Sequence, residues 1–283
     1  MTRVSVVVPA FRNAATIAET MRSILDQDHA DLEVVVADHS SDDGTAAAIE
    51  PFADDPRVRI LDATPAGGGA VRNWQRVTDA ATGEYLKLVP GDDLLHPGAI
   101  AAQAAALDAQ PDAVLVAGRR DILDARGAVL VSGRGLGPLV GRHDGREAIR
   151  ASVRAGTNLL GEPGAVLLRR GALAAAGGWD GRHAYLIDQA SYARALLAGD
   201  MIGLDATVAG FRVNAGQWSM ALSREQAAQA IAFHHAFAAE HPGVLDPADL
   251  RVGDRRARRA ALARRAFYVL HRRRLRLPVI GEG

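Results

Sequence analysis

Residues 86–97 read LKLVPGDDLLHP, in which two adjacent carboxylates, Asp92 and Asp93, follow a short apolar run. The run covers residues 85–89 and ends in a proline and a glycine, which is typical of a buried strand that enters a tight turn. Ligands of open α/β sheets bind where strands end, so this pair could hold a hydroxyl group or a metal ion. The same spacing suits an N-cap for a helix over residues 97–110, and the stretch alone favours neither interpretation.

The composition of the chain excludes several classes of protein. Its 283 residues suffice for one large α/β domain, or for a core domain with an appendage, without disulfides or metal clips. Cysteine is absent, which excludes thiol catalysis and thiolate metal sites and suits a reducing compartment. Basic and acidic residues both number 33, so no overall charge attracts nucleic acid. With no signal-peptide pattern and no apolar run of about 18 residues, we expect a soluble, cytoplasmic protein.

Short aliphatic runs alternate with helical patterns in the first part of the chain. Strands are predicted at residues 4–8, 32–37, 58–61, 85–89 and 113–117. Helices are predicted between them at residues 15–27, 45–52 and 72–81. This alternation predicts an α/β protein with a doubly wound, mostly parallel sheet flanked by helices.

The pattern becomes less regular after residue 118. The glycine-rich sequence SGRGLGPLVG suggests loops or a hairpin there. Strands and helices resume between residues 166 and 208, and two terminal helices are predicted at residues 223–240 and 247–274.

Polar and aromatic residues follow the first two predicted strands. The first strand leads into PAFRN, which begins at Pro9, and the second leads into ADHSSDDGT, which contains Asp38. Two neighbouring strand ends of this kind would form the floor and wall of a pocket, in which Phe11 could stack on a flat base. The alternative is that Asp38 only caps a turn.

A glycine-rich loop, PAGGGAVRNWQR, precedes a predicted helix and places Arg72 in its first turns. Backbone amides at a helix start, together with a guanidinium, favour phosphate. The loop lacks both the G-x-G-x-x-G spacing and the preceding strand of a dinucleotide-binding turn. An NAD(P)-linked dehydrogenase is therefore disfavoured, since the first strand also ends without glycines.

Seven segments occur in a specific order along residues 3–220. They are VSVVVPAFRN, LEVVVADHSSDDGT, GGGAVRNW, GEYLKLVPGDDLLHP, GEPGAVLLRRGALAAAGGWD, AYLIDQASYARALLAGD and FRVNAGQWS. This order resembles the nucleotide-sugar-dependent family 2 glycosyltransferases, whose catalytic domain has the GT-A fold. The resemblance implies a GT-A-like catalytic domain at residues 1–220 and leaves residues 221–283 as a C-terminal helical extension.

The resemblance also implies an activity and a donor site. The expected reaction moves a sugar from a nucleoside diphosphate sugar, with a UDP- or dTDP-sugar as the expected donor, to an acceptor hydroxyl with inversion. Its setting would be the biosynthesis of glycans, glycolipids or glycosylated natural products. Asp92 and Asp93 would hold a divalent metal, Mg²⁺ or Mn²⁺, that neutralises the leaving diphosphate. The implied donor-binding residues are Pro9, Phe11, Asp38, His39, Arg72 and Asp92.

Asp188, in the segment YLIDQAS, matches the catalytic base of inverting members. Such a carboxylate removes the proton of the acceptor hydroxyl as its oxygen attacks the anomeric carbon. Without the resemblance, Asp188 would be interpreted as the N-cap of the helix that follows it. Glu162, in GEPG, would shape the acceptor side of the cleft.

Three positions depart from the family pattern. Pro90 replaces the first Asp of D-x-D-D, His39 replaces the second acidic residue of D-D-G-S-T-D-G-T, and Asn214 replaces the histidine of R-x-H. Metal binding would then rest on Asp92 and Asp93 alone, since an amide is a poorer metal ligand than a histidine. An alternative function is therefore a nucleotide-sugar-binding protein of the same fold without transfer activity.

Two features allow two interpretations each. Trp179 and Trp218 could stack on a sugar face or fill the core. The arginine-rich stretch at residues 251–276 could be a solvated helix face. It could equally dock to an anionic membrane, a lipid-linked acceptor or a partner, with the protein peripheral at the inner face of the membrane.

Overall fold

The protein is described here from a computed structural model that covers residues 2–214, 220, 222 and 224–276. It contains a ten-stranded sheet. The strands are β1 (Val4–Ala10), β2 (Leu32–Asp38), β3 (Val58–Ile60), β4 (Tyr85–Leu88), β5 (Leu94–Leu95), β6 (Ala113–Leu123), β7 (Val129–Arg134), β8 (Gly141–His143), β9 (Val166–Arg169) and β10 (Asp200–Arg212).

Helices cover both faces of the sheet. They are α1 (Ile17–Leu25), α2 (Thr45–Ile49), α3 (Gly69–Asp79), α4 (Ala99–Asp108), α5 (Gly145–Ala155), α6 (Arg170–Ala175), α7 (Ile187–Ala195), α8 (Gln226–Glu240) and α9 (Pro247–Leu270), with short 3₁₀ helices at Glu50–Phe52 and Pro163–Ala165. The domain boundary predicted after residue 220 falls at residue 221, and the helix predicted at residues 223–240 would begin at residue 223. Both residues lie outside the part of the chain that the structure describes.

The strands pair in the order β3-β2-β1-β4-β9-β6-β10-β5, with β7 beside β6 and β8 beside β10. The first four strands are all parallel, as the alternating pattern predicts. β9 is antiparallel to both β4 and β6, whereas β10 is parallel to β6. The doubly wound α/β sheet is therefore confirmed, with antiparallel strands in its second half.

Two apolar layers hold the sheet between its helices. Alternate side chains of β1 point to opposite faces, as the period of a strand requires. Val6 and Val8 pack on the layer that contains Ile17 and Met21 of α1, while Val7 packs on the opposite layer. A strand buried on both faces is mostly apolar, which explains the run VSVVVPA. Its one polar side chain, Ser5, is fully buried and accepts from the Gly83 N–H at 2.7 Å.

The irregular region after residue 118 forms a hairpin. The strand predicted to end at residue 117 continues as β6 to Leu123 and pairs in antiparallel fashion with β7. The prediction stopped short because Arg119, Arg120 and Asp121 interrupt the apolar run. Arg120 is nevertheless buried, and its guanidinium forms an ion pair with Glu162. This ion pair replaces the apolar pattern in this part of the strand.

The two C-terminal helices pack on the sheet domain. Phe233 and Phe237 of α8 lie in the same apolar layer as α5 and α7. α9 crosses α5 so closely that a Cβ atom at Gly253 would lie 2.5 Å from the Val153 carbonyl oxygen, which explains the glycine there. Among the described residues, every helix is too short or too polar to cross a bilayer.

Lys87 is the only lysine of the chain and lies fully buried in β4. Its Nζ donates to Gln103 Oε1 at 2.7 Å and approaches the Val166 carbonyl oxygen at 3.4 Å. Both partners are uncharged, so burial lowers the pKa of Lys87 to about 7. The unfolded chain binds one more proton than the folded chain between pH 7 and the ordinary lysine value, and this group therefore makes stability rise with pH in that range.

Because the chain has a single lysine, its titration can be observed directly. Protein labelled with ¹³C at lysine Cε is expected to give one NMR resonance that titrates near pH 7. The free energy of unfolding should rise by about 1.4 kcal/mol per pH unit more steeply in the wild type than in K87M between pH 7.5 and 9.5. A midpoint near the ordinary lysine value, or equal slopes for the two proteins, would contradict the burial argument.

Candidate active site

The predicted base-binding residues lie together at the ends of β1 and β2. These strands pair in parallel with Ala10 opposite Asp38, so Phe11 and His39 follow neighbouring strand ends. Their rings meet edge to face with centroids 5.9 Å apart. Phe11 is 53% exposed, while His39 and Pro9 are buried. A flat ring can therefore reach Phe11 from solvent while the residues beneath it stay fixed.

His39 connects this strand end to the glycine-rich loop. Its Nε2 lies 3.1 Å from the Pro65 carbonyl oxygen and 3.0 Å from the Gly67 carbonyl oxygen. Carbonyl oxygens only accept hydrogen bonds, so Nε2 carries the hydrogen. Arg72 lies exposed at the start of α3 and donates from Nη1 to the Ala66 carbonyl oxygen at 3.3 Å. The imidazole and the guanidinium thus contact the same loop.

Asp38 caps a turn, as the alternative interpretation predicts. Its carboxylate accepts from the Ser41 backbone N–H at 2.9 Å and from Ser41 Oγ at 2.5 Å. Its carbonyl oxygen accepts from the Thr64 N–H at 2.7 Å. These bonds fix the Asp38 carboxylate at the strand end beside His39, where a ligand pocket was predicted.

Asp92 and Asp93 lie at the end of β4, next to β1. The helix that follows begins at Ala99 with Gly98 as N-cap, so the N-cap interpretation of the pair is wrong. Asp92 is 6% exposed and Asp93 is 1% exposed. Burial raises the pKa of Asp92 to about 6 and the pKa of Asp93 well above its usual range, where the neighbouring carboxylate adds to the effect.

Arg212, at the end of β10, holds this turn in place. Its backbone N–H donates to Asp93 Oδ1 at 2.9 Å, and its Nε donates to the Asp92 carbonyl oxygen at 2.8 Å. The other guanidinium nitrogens donate to the Ala125 carbonyl oxygen at 3.2 Å and to Glu19 Oε2 at 2.6 Å. The positive charge of Arg212 also favours ionisation of Asp92 and Asp93, but burial outweighs it and the pKa of each stays raised.

The carboxylate pair has the chemistry of a metal site shared with a ligand. In the part of the chain that the structure describes, no group of three or more histidine and acidic side chains could hold a metal ion alone. Mg²⁺ is commonly held by one or two carboxylates and completed by phosphate oxygens and water. Asp92 and Asp93 supply that number, and their raised pKa values show that burial leaves their charge poorly compensated. Asn214, one of the departures from the family pattern, donates from Nδ2 to Asp92 Oδ2 at 3.2 Å.

Asp188 lies in the first turn of α7, whose N-cap is Leu186, so the N-cap interpretation of Asp188 is wrong. Asp188 Oδ2 accepts from Asn158 Nδ2 at 2.9 Å, which orients the carboxylate. Burial raises the pKa of Asp188 to about 7, and the negative charge of Glu162 adds to the effect. A carboxylate with this pKa can take up a proton near neutral pH.

Glu162 links the two groups of carboxylates electrostatically. Its negative charge raises the pKa of both Asp93 and Asp188, so the three groups share one electrostatic environment. Burial opposes the ionisation of Glu162, but the charge and hydrogen bonds of Arg120 outweigh it and hold the pKa of Glu162 below its usual value. Arg120 donates from Nε to Oε2 at 2.5 Å and from Nη2 to Oε1 at 3.2 Å.

Arg120, Arg212 and Asn158 support these carboxylates, and none of the three was predicted to do so. The two arginines interrupt otherwise apolar strand runs, and a charge inside a buried strand is the signal that could have revealed them. Asn158 carries no comparable signal. Trp179 is buried and donates from Nε1 to Thr78 Oγ1 at 2.8 Å, so it fills the core, while Trp218 lies outside the described residues.

Comparison with known proteins identifies the family. The model of the family described as Glycosyl transferase family 2 matches residues 5–175. An uncharacterized protein of Mycobacterium tuberculosis, MT1568, is 32% identical over 202 residues, which cover 69% of this chain and 62% of that protein. The GalNAc(5)-diNAcBac-PP-undecaprenol beta-1,3-glucosyltransferase of Campylobacter jejuni is 32% identical over 101 residues, which cover 35% of this chain and 33% of the enzyme. The chain thus spans less than two thirds of the length of these relatives.

Solved structures show the same fold at lower sequence identity. TarS 1–349 of S. aureus in complex with UDP-GlcNAc superimposes with a TM-score of 0.66 and 20% identity, covering 84% of this chain and 66% of TarS 1–349. The mannosyltransferase PcManGT of Pyrobaculum calidifontis, in complex with GDP-Man and Mn²⁺, gives a TM-score of 0.61 and 21% identity over 94% of this chain and 75% of that enzyme. The expected GT-A fold is thereby confirmed, and because the family model matches more than half of the chain, the protein belongs to glycosyl transferase family 2.

Proposed function

We propose that this chain transfers one sugar from a nucleoside diphosphate sugar to an acceptor hydroxyl and inverts the anomeric centre. The observation that carries the proposal is a hydrogen-bonded chain in which Asn158 binds the proposed base Asp188 and Arg120 binds both Asn158 and Glu162. The negative charge of Glu162 raises the pKa of Asp188 and of Asp93 in the proposed metal-binding pair. Asp92 and Asp93, with a metal ion, would hold the leaving diphosphate, and Asp188 would activate the attacking oxygen. The family of the chain supports this activity.

The donor would lie across the ends of β2, β1 and β4. Phe11 would stack on the base, while Pro9, Asp38 and His39 would line the base and ribose pocket. Arg72 and the amides of the glycine-rich loop would contact the diphosphate. TarS is described with UDP-GlcNAc and PcManGT with GDP-Man, which supports a nucleotide sugar in this pocket. We propose a UDP- or dTDP-sugar as the donor.

Asp92 would ligate a divalent metal, Mg²⁺ or Mn²⁺. Asp93 Oδ1 accepts from the Arg212 N–H, so Asp93 would offer the metal its other carboxylate oxygen or only its charge. When bound, the ion would neutralise the negative charge that develops on the leaving diphosphate. Arg212 would keep the two carboxylates in place, because it bonds the backbone of Asp92 and the side chain of Asp93. The Mn²⁺ with which PcManGT is described supports this part of the proposal.

Asp188 would act as the general base. Its carboxylate would accept the proton of the acceptor hydroxyl while the acceptor oxygen forms a bond to the anomeric carbon. The bond from that carbon to the diphosphate oxygen breaks on the opposite face, and the nucleoside diphosphate leaves. One displacement of this kind inverts the anomeric configuration. Asn158 is a positioning residue in this scheme, since it holds Asp188 Oδ2.

The rate of transfer is expected to depend on pH through Asp188. The base must be ionised, and burial raises its pKa to about 7, so kcat/KM should fall about tenfold per pH unit below that value. Replacing Glu162 by glutamine removes a negative charge that raises this pKa. The acid limb of the E162Q profile should therefore move to lower pH, and a shift to higher pH would contradict the assignment of Asp188.

A thermal-shift panel tests the proposed function. UDP, dTDP, GDP, CDP and NADH would each be added with and without Mn²⁺ or Mg²⁺. A ligand at a hundredfold excess over its dissociation constant stabilises the folded state by about 2.7 kcal/mol, so a true donor nucleotide raises the melting temperature clearly. We expect a metal-dependent shift with one nucleoside diphosphate. A shift with none of them would overturn the proposal, and a shift with NADH alone would indicate a dehydrogenase.

The proposal includes an arrangement of the chain and a location. Residues 1–220 would form the catalytic domain, and residues 221–283 would be a helical extension that supports it. The enzyme would act in the cytoplasm, at the inner face of the membrane, with a peripheral contact through the arginine-rich C-terminus.

A further inference from the structure

The charge of the chain is unevenly distributed. Residues 251–276 contain 11 of the 33 basic residues and 1 of the 33 acidic residues, although the whole chain is neutral. Every basic residue in this stretch is an arginine, and the one acidic residue, Asp254, is bonded to His234 and His235 of α8. The outer side of α9 and the residues after it therefore form a local cationic surface on a neutral protein.

Small residues determine which side of α9 faces the protein. Gly253, Ala257 and Ala261 recur every four residues and are buried, with Gly253 against the backbone of α5. The opposite side of the helix faces outward. It carries Leu262 and Val269, which are 63% and 70% exposed, followed by Leu270, which is 79% exposed. Large apolar side chains are thus presented to solvent on the last turns of the helix.

Arginines flank these apolar residues on the same side. At 3.6 residues per turn, Arg255, Arg258 and Arg259 lie within about 60° of Leu262 around the helix axis, and all three are exposed. We call the outward surface formed by Arg255, Arg258, Arg259, Leu262, Val269 and Leu270 the docking face.

We propose that the docking face binds the surface of an anionic lipid bilayer. Each basic residue near such a surface contributes about 1 kcal/mol of attraction, so a cluster of arginines gives useful affinity. Apolar side chains on the same helix can enter the boundary between head groups and acyl chains. Arginine stems lie along apolar surface while their guanidinium groups remain among the head groups. A nucleic acid would use the arginines but would leave the exposed apolar side chains in water.

The segment that follows α9 connects the docking face to the donor side of the site. Leu275 is buried against Ile122 and Val213, and the Ala125 N–H donates to the Arg274 carbonyl oxygen at 3.1 Å. Ala125 in turn accepts from the Arg212 guanidinium.

The lipid-binding proposal rests on the proposed function and extends it by naming the partner of the docking face. Lipid binding is measured without donor or acceptor, so failure of one proposal is distinguishable from failure of the other.

Co-sedimentation of the full chain with vesicles tests this proposal. We expect binding to phosphatidylglycerol-containing vesicles at low salt and little binding to pure phosphatidylcholine vesicles. Replacing Leu262, Val269 and Leu270 together by glutamine should weaken this binding at least about tenfold, and R258Q/R259Q should do the same. The matched control is V129Q/V140Q, which removes exposed apolar side chains elsewhere and should bind like the wild type. Because all these side chains are exposed, each variant should keep its melting temperature.

Three results would overturn the proposal. The first is that the wild type does not bind anionic vesicles at low salt. The second is that both docking-face variants bind these vesicles as tightly as the wild type does. The third is that the wild type dimerises in sedimentation velocity and the glutamine triple variant does not, which would assign the face to a second copy of the chain.

Discussion

Replacement of Asp188 by asparagine is expected to lower kcat by about 10²–10⁴-fold, the usual contribution of a general base. The amide keeps the shape of the side chain and can still accept from Asn158, but it cannot take the acceptor proton. Binding of the nucleotide should persist, since Asp188 is proposed to act on the acceptor. The initial rate of sugar transfer and the thermal shift caused by the nucleotide would be measured in parallel for D188N and the wild type.

The folding of D188N provides an internal check. The pKa of Asp188 is raised from 3.8 to about 7 in the folded state, so this group lowers the free energy of unfolding as the pH rises between these values, and the full loss is present above pH 7. The asparagine variant should therefore be at least as stable as the wild type at pH 8. The matched control is D54N, the same chemical change at an exposed loop position, which should leave the rate unchanged. Turnover of D188N within twofold of the wild type would remove Asp188 from the role of base.

Replacement of Asp92 by asparagine is expected to abolish the metal-dependent part of nucleotide binding. The nucleotide with its metal stabilises the wild type by about 2.7 kcal/mol at a hundredfold excess over its dissociation constant, and without the carboxylate the ion loses its proposed ligand. Replacement of Asp93 by asparagine should be much milder. The amide oxygen can still accept from the Arg212 N–H, and the side chain is buried away from solvent. Thermal shifts of both variants, with UDP and Mn²⁺ or with UDP alone, separate the two roles.

The opposite ranking of these two variants would contradict the assignment. If D93N lost the metal-dependent shift and D92N kept it, Asp93 would be the ligand and Asp92 would support it. Equal loss in both would mean that the two carboxylates hold the ion equally. A larger loss in D92N than in D93N agrees with Asp92 as the main ligand and with Asp93 bonded through Oδ1 to the Arg212 N–H of β10.

Much of the fold could be predicted from the sequence, because β1, β2 and β4 are short and buried throughout. Val4–Ala10 and Leu32–Asp38 are apolar almost throughout, and each begins where predicted. The antiparallel insertion of Val166–Arg169 between β4 and β6 could not be predicted, since strand order depends on long-range contacts. The extension of β6 past residue 117 was missed because buried charges break its apolar pattern.

The candidate site was predictable where chemistry is concentrated in a short segment. Asp92 and Asp93 follow a strand directly, and the order of motifs indicates Asp188. The residues that support them come from distant parts of the chain. Glu19 and Arg212 meet across 193 positions, and Arg120 of β6 reaches Glu162 across 42 positions. A charge inside an apolar strand can indicate that Arg120 or Arg212 needs a partner, but pairing at such separation leaves no local pattern that identifies the partner.

If this chain is an inverting nucleotide-sugar glycosyltransferase, the configuration of the sugar that it releases will be opposite to that of the donor. The α-linked sugar nucleotide whose diphosphate gives the thermal shift would be incubated with Mn²⁺ and the protein, with water or an alcohol as acceptor. Proton NMR would follow the anomeric signal before mutarotation. We predict release of the nucleoside diphosphate together with a sugar that appears first as the β-anomer, and no release with D188N. A sugar that appears first as the α-anomer would contradict inversion. A donor that binds but is never consumed would contradict transfer and indicate a nucleotide-sugar-binding protein.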